Sequence, residues 1–190
     1  MYNITNKGDN KFIKKIKGKS MSFIGIVSDS KCFDIIKEKI KENDKENQFN
    51  LIQINSKSID NIKNIRFEVL VVNCELEELK DYQSNLEKIY SNAKYLILNT
   101  DINKEEFEQN KHTQIITYGL NHKSTVTISS ISDTDILIYL QRNILNISNS
   151  IIEVEEKRIK IKEKSKCKTY DVMILYIIFT IYNKKIISEV

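Results

Sequence analysis

The chain has no proline, no tryptophan and only four glycines in 190 residues. The usual punctuation of turns is scarce, so element boundaries must be read from changes in hydrophobic period and from clusters of Asn, Asp and Ser. Its three cysteines, Cys32, Cys74 and Cys167, lack C-x-x-C spacing, and there are two histidines. That count excludes a disulfide framework and the common zinc sites, and makes a reducing cytoplasm the expected compartment. No sign of charge dominates. Thirty basic against 26 acidic residues give +4, well short of the excess of a dedicated nucleic-acid binder, so nucleic acid is not an expected partner. Long apolar runs are lacking as well. The most apolar, V-M-I-L-Y-I-I-F-T-I-Y at 172–182, falls short of the ~20 residues that span a bilayer and reads as a buried helix, with no membrane insertion expected. Near the N-terminus Lys7, Lys11, Lys14, Lys15, Lys17 and Lys19 interrupt every apolar stretch, which excludes a secretory signal there.

What is present is a globular composition, 41% hydrophobic and 29% charged, incompatible with intrinsic disorder. The length predicts a Lys-rich leader over residues 1–20 and a single domain over 21–190. Abundant Ile, Lys and Asn beside few Arg has the look of an AT-rich coding bias, so Lys and Asn enrichment is not functional evidence.

Residues 22–27, S-F-I-G-I-V, read as a strand, and Phe33, Ile36 and Ile40 follow at the spacing of a helix that lays one face on a core. F-N-L-I-Q-I-N at 49–55 alternates, and R-F-E-V-L-V-V-N at 66–73 has the continuous Val/Leu content of a strand covered on both faces. A helix over 82–92, a strand at 94–101, a short helix near 103–110 and a strand at 113–119 complete the alternation. Strands alternating with helices predict an α/β fold with a mostly parallel sheet flanked by helices. After Gly119 the runs at 124–131, 135–142, 151–155 and 157–162 alternate without helices between them, which predicts a C-terminal antiparallel section, and a last helix is expected over 169–182.

In such a fold, ligands sit beyond the carboxyl ends of the strands, and the first strand-to-helix turn is the natural phosphate cradle. Here that turn holds Ser28, Asp29, Ser30 and Lys31. It has no glycine after Gly25, Asp29 would repel an anion, and Lys31 is its one favourable charge.

At this turn and the segments after it, the order of motifs resembles the central, ATP-binding domain of the Mur ligase family, which joins amino acids to carboxylates through an acyl phosphate. Where that family has G-I-T-G-T-N-G-K-T-T, this chain has F-I-G-I-V-S-D-S-K-C-F-D at 23–34. L-I-Q-I-N-S (51–56), V-L-V-V-N (69–73), E-E-L-K (77–80), N-A-K (92–94), L-I-L-N-T-D-I (96–102) and I-I-T-Y-G-L-N-H-K-S-T-V-T (115–127) follow in family order, and T-Y-D-V-M resembles the helix that the family writes H-N-v-y-N. The resemblance covers about residues 22–185 and implies a P-loop-like fold of the Mur central-domain type. It also implies the departures: Cys32 stands where the family has its phosphate-binding Lys, Gln53 where it has a magnesium-ligating Glu, and Glu78 where it has a His. Losing the cradle, the Lys and a metal ligand removes most of what phosphoryl transfer depends on.

The expectation is a degenerate Mur-like domain without ATPase or ligase activity, working as a binding or interaction module with a protein partner. No catalytic residue, metal site or cofactor is assigned. The alternative is a component of an ATP-dependent ligase completed by other chains, with ATP and Mg as cofactors. The residues kept as a vestigial site are Ser28, Asp29, Ser30 and Lys31, with the strand ends Asn73, Asn99 and Asp101; the last three are equally well explained as turn and cap residues. His112 and His122 read as solvated loop residues, the cysteines as structural thiols, and the Lys-rich stretch at 157–168 as a solvated strand face.

Overall fold

A computed structural model describes residues 22–44, 48–103, 112–162, 165–184 and 189–190, without the side chains of residues 76–78. The expected leader and the short helix near 103–110 lie outside the described residues. Among the described residues, eight strands form one sheet and two more form a small separate one. In chain order the elements are β1 (Ser22–Val27), α1 (Ser30–Asn43), β2 (Phe49–Ile54), α2 (Ile59–Ile62), β3 (Val69–Val72), a 3-10 helix (Leu76–Tyr82), α3 (Gln83–Ser91), β4 (Tyr95–Asn99), β5 (Gln114–Tyr118), β6 (Val126–Ile131), β7 (Asp135–Leu140), β8 (Ile144–Leu145), β9 (Ile151–Ile152), β10 (Glu155–Lys160) and α4 (Thr169–Ile181).

The large sheet runs β2-β1-β3-β4-β5-β6-β7-β10. Pairing is parallel from β2 through β6 and antiparallel where β7 meets β6 and β10. The α/β fold with a mostly parallel sheet and a C-terminal antiparallel section is therefore present. Not all of the predicted antiparallel runs join the main sheet: Ile151–Ile152 pairs with β8 in the small sheet, while β10 pairs with β7. The two-residue β9 ends before Glu153, and the chain turns back to the main sheet only at Glu155.

Side-chain alternation divides the core in two. Val69, Val71, Tyr95 and Ile97 face one side with α1 and α4, whereas Leu70, Val72, Leu96 and Leu98 face the other with α2 and α3. Both faces are covered, which is why β3 and β4 read as unbroken apolar runs. Helix α4 is buried at every position from Asp171 to Ile181, as expected of the apolar run there. Gly25 is closely packed: a Cβ there would sit 2.8 Å from Ile54 Cδ1 and 2.9 Å from Leu70 Cδ1, so those side chains would have to shift to admit one. Among the described residues no helix is long and apolar enough to cross a membrane.

The chain leaves β1 for β2 on one side and returns to β3 on the other. The carboxyl ends of β1 and β3 thus flank the switch point, where open α/β sheets bind their ligands.

Candidate functional site

The first side of this crevice is the β1–α1 turn. Ser28 is buried and its hydroxyl donates to the Asp29 carbonyl at 3.0 Å. Asp29 is exposed, extended and the N-cap of α1, and its Oδ1 accepts the Cys32 N–H at 2.8 Å. A helix N-terminus offers unpaired amides and a positive dipole end to an anion; here a carboxylate of the chain already occupies that position. Ser30 and Lys31 are exposed, and the Ser30 hydroxyl accepts a long 3.3 Å contact from the Gln53 amide.

Cys32, at the position that the resemblance gives to a lysine, is 6% exposed and turns inward. Burial, with the Asp171 carboxylate beside it, pushes the thiol up to about 12, so at neutral pH it is an uncharged hydrophobe. Its sulfur accepts the Asn73 side-chain amide at 3.2 Å.

Asn73 closes the second side. Its N–H donates to the Val27 carbonyl at 2.8 Å, extending the β1–β3 ladder by one residue. Its Oδ1 accepts two donors at once, the Asn99 side-chain amide at 2.9 Å and the Tyr118 hydroxyl at 2.9 Å. Asn99 and Tyr118 are both fully buried. Desolvation, with Cys32 nearby, holds the Tyr118 hydroxyl well above the ordinary tyrosine value, so it is a permanent donor. The structure thus bonds the two expected strand ends directly to each other and adds to the same oxygen Tyr118, a residue that sequence reasoning left unmarked.

Asp101 anchors the next layer. Asn99 Oδ1 accepts its N–H at 3.0 Å, and its carboxylate accepts Asn121 Nδ2 at 2.8 Å, the Tyr170 hydroxyl at 3.0 Å and the Leu120 N–H. Desolvation works against the charged form, yet these donors outweigh it and hold Asp101 below the usual carboxylate range. Gly119 makes the approach possible, since a Cβ there would lie 2.8 Å from Asp101 Oδ1. The Tyr170 ring meets the Tyr118 ring edge-on at 6.3 Å between centroids, so α4 is tied to the same cluster. Asp171 follows as the N3 residue of α4, its carboxylate accepting the Lys168 N–H at 2.8 Å, and burial raises it above the ordinary aspartate value.

Four strand ends and two helix starts are therefore stitched together by their own polar groups. The turn residues Ser28 to Lys31 and the trio Asn73, Asn99 and Asp101 lie at the same pole of the sheet, bridged by Cys32. Among the described residues no group of three or more His, Cys, Asp or Glu side chains is arranged to hold a metal ion. His112 and His122 are exposed, and so is most of β10.

The sequence matches no family model and no curated protein.

Proposed function

We propose that this chain is a catalytically disabled relative of the Mur ligase central domain that works, without nucleotide or metal, as a binding and interaction module for a protein partner. The observation that carries this reading is the 2.8 Å bond from the Cys32 N–H to Asp29 Oδ1. It puts a fixed negative charge where a phosphate would need the helix amides, and a bound anion would have to displace it. The neutral, inward-turned Cys32 supports the same reading, because no cation stands at the position that the resemblance assigns to the phosphate-binding lysine. The parallel sheet, with a strand–turn–helix unit at its switch point, is the frame such a relative requires. The P-loop-like assignment belongs to this proposal.

Calorimetric titration with Mg-ATP, followed by a phosphate-release assay, tests it. The expected result is no saturable heat and no hydrolysis. Micromolar binding, or turnover that depends on magnesium, would refute the reading and favour a ligase component completed by other chains.

A further inference from the structure

The pole opposite the switch point offers a different surface. Among the described residues β2 is an edge strand, with β1 as its one neighbour in the sheet. The bond from Ser22 N–H to the Gln48 carbonyl, with the parallel register Ser22↔Phe49, fixes the alternation of the ladder. The N–H and C=O groups of Phe49, Leu51 and Gln53 accordingly point away from β1. Two of these outward groups are satisfied by side chains: Asp44 Oδ2 accepts the Phe49 N–H at 2.9 Å, and the Ser58 hydroxyl donates to the Gln53 carbonyl at 3.1 Å. Each side chain takes the place that a neighbouring strand's backbone would fill. Between them, the N–H and C=O of Leu51 have no partner among the described residues.

A cleft of about 230 Å³ lies alongside, between the last turns of α1 and β2. Ile40, Phe49 and Leu51 give it an apolar lining, and Lys37 and Lys41 stand beside them. At one end sits Asp44, 6% exposed, whose Oδ1 has no hydrogen-bond partner among the described residues and lies 4.0 Å from Lys184 Nζ. Lys184 also lies 5.5 Å from the centre of the Phe49 ring. Lys37 and Lys41 thus line the cleft with Asp44, Lys184 stands beside that aspartate, and Lys37 Nζ lies 5.4 Å from the centre of the Phe33 ring.

The far edge of the sheet is treated differently. β10 reads E-E-K-R-I-K, so charged side chains discourage pairing along it, and its end is sealed where Val190 N–H donates to the Lys160 carbonyl at 2.8 Å. β2 reads F-N-L-I-Q-I and carries no charge at all. An uncharged edge with open backbone groups is a template for strand addition.

We propose that the outer edge of β2, with the cleft beside it, docks an acidic, extended segment of a partner protein as a ninth strand. Its backbone would pair with Leu51, one apolar side chain would enter the cleft, and its carboxylates would meet Lys37 and Lys41. The charge selects this occupant over two others. A second copy would bring Lys37 and Lys41 against their own equivalents, and the chain's own residues 1–20 would bring six more lysines. This inference rests on the interaction-module reading and names the partner's chemistry.

The test uses the full chain and a fluorescein-labelled peptide of about eight residues alternating Glu and Val, the length of a long edge strand. Anisotropy should show saturable binding that weakens with salt, and a Lys-Val peptide of the same length should not bind. Lys37→Glu/Lys41→Glu, on the helix surface, should weaken binding by about tenfold or more, and Leu51→Pro should abolish it by removing the central N–H. Hydrogen exchange should find the Leu51 amide open in the free chain and protected in the complex. No saturable binding, or binding indifferent to the lysine pair, overturns the proposal. Protection of Leu51 in the free monomer would give the edge to the chain's own leader, and protection only in a concentration-dependent dimer would give it to a second copy; either overturns it. Mg-ATP titrated in parallel separates the two claims. ATP binding defeats the module reading, whereas silence toward both ligands defeats only the edge assignment.

Discussion

Replacing Asn73 by alanine separates a structural hub from a ligand contact. Asn73 Oδ1 accepts from Asn99 and Tyr118, each at 2.9 Å, and both donors sit on fully buried residues. Truncation leaves two buried donors unpaired, at about 1–3 kcal/mol each, hence a loss of about 2–6 kcal/mol, with the lower half expected if water enters the vacated space. Domains of this kind have about 5–15 kcal/mol in total, so the effect is a large share of it. In a urea titration, with a slope of about 2–3 kcal/mol/M, a 3 kcal/mol loss moves the midpoint down by roughly 1 M. Tyr118→Phe is the control. It removes one donor, leaves Asn99 on the same oxygen, and should cost only about 0.5–1.5 kcal/mol. In the double variant Tyr118 is no longer an orphan, so the two substitutions should couple by about 1 kcal/mol or more. A midpoint for Asn73→Ala within about 0.3 M of the parent, with strict additivity in the double variant, would refute the hub and leave Asn73 free to be a ligand residue.

Asp29→Ala should cost about 1 kcal/mol as a lost helix cap, read by the same urea titration, without creating affinity for Mg-ATP. Asp101 is held below its ordinary value of 3.8, so the stability it contributes is present above that pH and is lost as pH falls through its folded value. The melting-temperature gap between parent and Asp101→Asn should therefore be widest near about pH 7 and close toward about pH 3, and a gap that does not change with pH would refute the assignment. Asp171 works in the opposite sense: its raised value burdens the fold at neutral pH and the burden lifts on acidification, so Asp171→Asn should raise the melting temperature more at neutral pH than in acid and widen the neutral-to-acid difference. With Cys32 near 12, only about one thiol in 10,000 is ionised at about pH 8. Iodoacetamide mapping by mass spectrometry should label Cys32 only after urea unfolding, and labelling in the folded chain at the rate of an open thiol would contradict its burial.

How much of this was legible in the sequence depended on whether the signal was local. Phe33, Ile36 and Ile40 announce α1 by spacing alone, and all three are buried. The apolar runs of β3 and α4 likewise carry their burial in their composition. The four-residue α2 was not legible, because Ile59 and Ile62 sit in a polar cluster too short to establish a period. The 3-10 helix over Leu76–Tyr82 was missed for a related reason: its non-helical Leu79 breaks the α-helical repeat. At the candidate site, the nearness of the turn to the strand ends was legible because chain order places them at one pole of a parallel sheet. Tyr118 was not, since its bond to Asn73 spans 45 positions and leaves no local trace. The capping of the β2 edge by Asp44 was equally invisible, an aspartate after a helix being ordinary turn chemistry until the strand beside it is known to be an edge.

The same hydrogen bonds bear on what the switch point can accept. A ligand donor that takes Asn73 Oδ1 must first release the two buried donors of Asn99 and Tyr118. At about 2–6 kcal/mol, that release lowers any intrinsic affinity by roughly 30- to 20,000-fold. A site with micromolar affinity in an open crevice would fall to about 0.03–20 mM here, before the Asp29 carboxylate adds its repulsion. An apolar plug of the same shape would fill the space without setting donor and acceptor positions, whereas Asn73, Asn99, Tyr118 and Asp101 specify how four strand ends align. The groups that would have read a ligand are committed to alignment, and in a sheet covered on both faces the open backbone of an edge strand is then the place where a partner can still be recognised by hydrogen bonds.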